Sequence, residues 1–129
     1  MPLSVADRLD IQELIARYNH AIDSGDAAAW AATFTADGTL DSGGRTYAGV
    51  EALRAFATDF AEKLPGSRHW TANLVAEGDH DEATARCYLQ VFRAGGGEPA
   101  ALLTTARVED RLRRVAGEWR FVSRTVVRD

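Results

Sequence analysis

The chain changes its hydrophobic period once. Leu9, Ile11, Leu14, Ile15, Tyr18 and Ile22 recur at three- and four-residue spacing, whereas from Arg68 onward apolar residues tend to fall on every second position. The first pattern belongs to an amphipathic helix and the second to half-buried strands. Helices first and sheet last make an α+β protein, because βαβ units would interleave the two patterns.

Local signals place the elements. "SVAD" is a capping box with Asp7 in place of the usual glutamate, and it opens a long helix that ends at Ser24-Gly25. Asp26 caps a short second helix, "AAAWAATF", with Trp30 and Phe34 four apart. "DGTLDSGGRTYAG" predicts a hairpin turning at Gly43-Gly44. A third helix runs from Val50 to Leu64 with Leu53, Phe56, Ala57 and Phe60 inward, and Pro65-Gly66 stops it. Four strands follow: His69 to Glu77, Ala83 to Arg93, Ala101 to Leu112 and Trp119 to Arg128. Short turns join them, which predicts a strongly twisted antiparallel sheet.

With 129 residues and no linker or repeat, the expectation is one domain over residues 1–129. A net charge of −4 argues against nucleic-acid and anionic-membrane partners, and the late arginines alternate with acids as solvated strand edges would. The single cysteine, Cys87, excludes an internal disulfide and fits the cytoplasm; flanked by Ala85, Leu89 and Val91, it is expected in the core. "MPLSVADRLD" has neither a basic region nor an apolar run, so no signal peptide is expected. Three histidines without metal-ligand spacing, and no phosphate-binding glycine loop, predict no metal, nucleotide or flavin cofactor.

"SRHWTANLVAEGD" is the most informative strand. Alternation puts His69, Thr71 and Asn73 on one face and Trp70, Ala72, Leu74 and Ala76 on the other. The polar set is expected on the concave, helix-covered side, lining a pocket. The apolar set would then form a convex strip, poorly tolerated in a monomer, which predicts a homodimer. Asp23 raises a related query. It lies in the last turn of the first helix, where the macrodipole disfavours a carboxylate by about 0.3–1 kcal/mol, so a facing donor is expected. His69 is the candidate. Asn19, one turn earlier, is placed to support the Asp23 carboxylate. Tyr18 belongs to the inward stripe, and its hydroxyl needs a partner or a cavity. Tyr88 and Arg124 are further candidates to reach the cavity from later strands. His20 lies off the inward stripe, and His80 in "GDHDE" is expected to be an exposed turn residue.

The order of elements, with "IQELIARYNHAIDSGD", "FTADGTLD", "RHWTANL" and "GEWRFVSR", resembles the nuclear transport factor 2-like, or SnoaL-like, superfamily over nearly the whole chain. The resemblance implies a cone: a curved antiparallel sheet wrapped around a long N-terminal helix, with two further helices and a pocket at the open end. "HAID" and the later "HWTAN" look like the paired segments of the scytalone dehydratase and lindane dehydrochlorinase branch. That likeness implies Asp23 as an orienting carboxylate and His69 as general base; similarity to ketosteroid isomerase, another member, implies Tyr18 as electrophilic donor, a position where the dehydrochlorinase carries a lysine. Asn73, Thr71, Asn19, Tyr88 and Arg124 would contact substrate. "DGTLDSGG" sets Asp41 one residue before the place of the steroid-isomerase base, which Ser42 takes instead, and this disfavours that mechanism. The expected activity is a cofactor-independent lyase or isomerase, dehydratase-like, on a hydrophobic small molecule. The alternative is a non-catalytic binding or accessory module of the same fold. The superfamily also commonly pairs through its outer sheet surface, in keeping with a homodimer.

Overall fold

In the computed structural model, which describes residues 2–129, the elements follow the expected order. They are α1 (Val5–Ser24), α2 (Ala27–Ala31), β1 (Phe34–Ser42), β2 (Arg45–Ala48), α3 (Val50–Lys63), β3 (Ser67–Gly78), β4 (Glu82–Arg93), β5 (Ala101–Val115) and β6 (Glu118–Arg128). The six strands form one open sheet in the order β2-β1-β6-β5-β4-β3. It is mixed rather than wholly antiparallel. β1 runs parallel to β6, with Leu40 beside Arg124. Several elements separate these two strands in sequence, so a short turn cannot set their direction. No helix among the described residues is long and apolar enough to cross a membrane.

The caps form as the sequence predicts. The Asp7 N–H donates to Ser4 Oγ at 3.0 Å and the Ser4 N–H to Asp7 Oδ2 at 3.2 Å. Gly25 ends α1 at φ 75°, a left-handed conformation that glycine takes without a Cβ penalty. Asp26 accepts from the Ala29 N–H at 3.0 Å. α2 is shorter than expected. The Thr33 hydroxyl donates to the Trp30 carbonyl at 2.7 Å, and Phe34 opens β1 instead of closing the helix.

α1 buries Ile11, Leu14, Ile15, Tyr18 and Ile22, while Leu9 falls off this stripe and faces solvent. These side chains meet Trp30, Phe34, Leu53, Ala57 and Phe121 in the main core. Each fully buried large apolar side chain contributes about 1.5–3 kcal/mol. Trp30 ties the cluster together, with ring centroids 5.3 Å from Tyr18, 5.2 Å from Phe34 and 5.5 Å from Phe56. A smaller cluster of Cys87, Leu89, Val91, Ala106 and Val108 lines the inner face of β4 and β5.

A polar brace holds the other end of α1. Asp7 forms an ion pair with Arg114 and lies 3.6 Å from His80 Nδ1. Arg114 also donates to the carbonyls of His80 (2.8 Å) and Gly117 (3.0 Å) and covers the Trp119 ring at 4.8 Å. Burial works against the Asp7 charge, but the Ser4 bonds and Arg114 outweigh it and hold the carboxyl below its usual range. His80 is exposed as expected, yet it joins this brace.

The alternation of β3 breaks midway. Ala72 pairs with Tyr88 but Val75 with Arg86, so β3 carries one extra residue. Asn73 absorbs it at φ 60°. Asparagine is among the few residues that enter this region readily. Beyond the bulge the faces exchange. Leu74 and Ala76 therefore pack inward rather than on the convex strip, and Val75 is exposed in their place.

Candidate active site

Asp23 and His69 meet. The last turn of α1 carries the carboxylate to the start of β3, and Oδ1 lies 2.6 Å from the imidazole Nδ1. Both carboxylate oxygens also accept from the His69 backbone N–H, at 3.1 and 3.0 Å. β3 is the last strand of the sheet, and this N–H points away from β4 toward the helix end. Three contacts thus gather on a carboxylate that the helix dipole alone would disfavour. The His69 and Asp23 side chains are 8% and 15% exposed, sheltered but within reach of a ligand. The Phe60 ring lies 5.3 Å from the imidazole.

A second contact runs beside the first. Asn19 Nδ2 donates to Thr71 Oγ1 at 3.3 Å. Asn19 is one helical turn from Asp23, about 6 Å along the axis, and Thr71 is two residues from His69, about 6.6 Å along the strand. Helix and strand are therefore bridged twice at matching intervals. Asn19 serves Thr71 and not, as the sequence suggests, the Asp23 carboxylate.

The space between α1 and β3 is a cleft of about 550 Å³. His69, Thr71, Asn73 and Asn19 line it, with Ile15, Leu74 and Cys87 among the apolar walls. Gln12, Ala16 and His20 complete the helix side. Sequence reasoning missed these three, although Gln12, Ala16, Asn19, His20 and Asp23 share one helical spacing beside the buried stripe.

Three candidate residues lie elsewhere. Tyr88 projects from the opposite face of β4 and is 58% exposed, because alternation puts it out of phase with inward Cys87 and Leu89. Tyr18 is packed against Trp30, Phe34 and Phe121, and its ring does not reach the cleft wall. Burial pushes its hydroxyl pKa up, against the pull of Arg124. Arg124 is fully buried beneath the sheet, its guanidinium 4.2 Å from the Tyr18 ring centroid and 4.8 Å from that of Phe121. Its Nε lies 3.0 Å from Asp110 Oδ1, off the line of a good hydrogen bond, and neither Asp110 oxygen has a hydrogen-bond partner. Burial pushes the Asp110 carboxyl up to about 6, against the lowering effect of Arg124. The guanidinium itself is disfavoured by burial, but Asp110 and Tyr18 more than restore its hold on the proton.

Comparison with known proteins agrees with this architecture. A family model described as a SnoaL-like domain matches residues 4–125. A protein of unknown function from Mycobacterium tuberculosis is 34% identical, covering 96% of this chain and 72% of its own, with a TM-score of 0.89. Aln2 from a Streptomyces species is 30% identical over 98% of this chain and 94% of its own, TM-score 0.92. A Catenulispora acidiphila protein, solved in complex with S-DNPA, is 29% identical over 98% and 96% of the two chains, TM-score 0.87. No curated protein matches the chain.

Proposed function

The chain belongs to the SnoaL-like domain family, and on that premise we propose that it is a cofactor-independent lyase or isomerase acting on a hydrophobic small molecule. The 2.6 Å contact of Asp23 with His69 at the wall of a cleft with both polar and apolar lining carries this reading. A carboxylate that accepts the Nδ1 proton fixes the tautomer and leaves Nε2 as the basic nitrogen. Nε2 then takes a proton from a carbon acidified by a neighbouring carbonyl, and Asp23 stabilises the imidazolium. In a dehydration, the C–H electrons form the new double bond as the C–O bond breaks, and the imidazolium returns its proton to the departing oxygen as water. A base so placed contributes about 10² to 10⁴ in rate. The Catenulispora relative, solved in complex with S-DNPA, supports a small-molecule ligand for this chain.

The decisive experiment is turnover by His69→Gln, which keeps the size of the side chain and removes the base. A loss of at least about a hundredfold is expected with the circular dichroism spectrum unchanged; equal turnover would refute the assignment. A second reading, a binding module without catalysis, draws on one observation: Tyr18 is turned away from the cleft, so the dyad has no tyrosine donor beside it. Ligand binding by the wild type without turnover of any hydroxy-carbonyl compound tried would favour it.

The assembly we propose is a homodimer through the outer sheet face. Trp70 and Tyr88 are exposed there beside Arg86, Glu109 and Arg111, which offer mixed charge to a second copy. A chromatographic mass equal to one chain at micromolar concentration would argue against it.

A further inference from the structure

We propose that the Asn19–Thr71 pair is a subsite that reads a hydroxyl group on the ligand. The inference rests on the reading of His69 as the reacting base and names a feature the substrate carries one helical turn away from it. Asn19 is 8% exposed, yet its Oδ1 has no hydrogen-bond partner. Its Nδ2 is already committed to Thr71. Buried polar atoms in folded proteins are nearly always satisfied, and an orphan is costly to keep. Both residues line the cleft, and although Oδ1 is closed to water where it lies, a turn of the Asn19 amide toward the cleft brings it to a ligand held there.

The chemistry of that partner follows from the pair. Thr71 Oγ1 accepts from Asn19, which leaves its own proton free to donate, while Asn19 Oδ1 accepts. Donor and acceptor therefore stand side by side. Turning the amide over exchanges the two roles between the residues but still leaves one of each. A hydroxyl both donates and accepts, so it satisfies the pair in either arrangement. A carboxylate only accepts and meets a lone pair in both, and an ether leaves the acceptor unmet. Ile15, Leu74 and Cys87 beside the pair are apolar, which suits a hydroxyl borne on a hydrocarbon ring.

The test compares 2-naphthol with its methyl ether, 2-methoxynaphthalene, by calorimetric titration of the wild type and of His69→Gln, the latter binding without turnover. Both proteins are expected to hold 2-naphthol at least about tenfold more tightly than the ether, because the ether strands a buried polar group. Asn19→Leu and Thr71→Val are expected to bring that ratio close to one. Thr71→Ser, which keeps the hydroxyl, should restore it, so the contrast survives if Asn19→Leu does not fold. Equal affinity for the two probes in the wild type, no binding of either, or a preference that persists in Thr71→Val would overturn the proposal. Unimpaired turnover by His69→Gln would remove the base assignment instead, and the binding ratio would not report it.

Discussion

Asp23 and Asp110 each sit against a nitrogen-bearing side chain with little water about them, and they are held in opposite ways. Asp23 accepts from the His69 ring and from its backbone N–H, at the margin of a cleft. Asp110 lies under the sheet against Arg124, with both oxygens lacking a well-directed hydrogen bond. Hydrogen bonds to its charged form favour an ionised carboxylate, and burial without them disfavours it. Under the function proposed above, the first pair passes a proton to and from a ligand through the imidazole nitrogen that Asp23 leaves uncommitted. The second pairs a permanent cation with a buried acid, and Arg124 meets the cleft only through the far side of its wall, 4.0 Å from Cys87 Sγ. Closeness of a carboxylate to a nitrogen-bearing side chain alone would not have told them apart; the surrounding donors do.

The contrast is open to experiment, beginning where the effects are greatest. His69→Gln should lower turnover by about 10² to 10⁴ while leaving thermal unfolding nearly unchanged. Asp110→Ala should do the reverse, removing about 3–5 kcal/mol in denaturant titration by stranding the Arg124 charge. Its companion, Asp110→Leu with Arg124→Met, should recover most of that loss; failure to recover would mean the pair does more than balance its own charges. Acid titration gives the next effect. The folded chain holds the Asp110 proton to about pH 6, whereas the unfolded chain releases it near 3.8. Stability from this group is therefore complete below about pH 4 and is lost as the pH rises through about 6. Asp110→Asn should flatten that part of the stability curve, and an unchanged slope would assign it to another group. The smallest effect concerns the bulge. Asn73→Val puts a branched side chain at φ 60° and should cost about 1–2 kcal/mol in chemical denaturation.

Much of this was legible from local chemistry. The capping box, the Gly25 stop and the Gly43-Gly44 turn each depend on neighbours in sequence, and each forms where expected. The Asp23–His69 meeting was suggested by a carboxylate at the negative end of a helix and by likeness to a family, because 46 residues separate the partners and no local pattern joins them. The parallel pairing of β1 with β6 is equally remote and left no local trace. The inward turn of Leu74 and Ala76 depended on one asparagine interrupting an otherwise regular alternation. Arg124 was misplaced for a different reason: its compensating acid, Asp110, lies on a neighbouring strand and was read with its neighbours as solvated edge.

β3 ends the sheet, and an outermost strand offers its free amide hydrogens to any passing chain of extended shape. At His69 that amide is already taken by Asp23. The carboxylate that meets the imidazole therefore also denies a foothold to intermolecular strand addition at this point, so truncating Asp23 would free that amide and invite self-association along the exposed border.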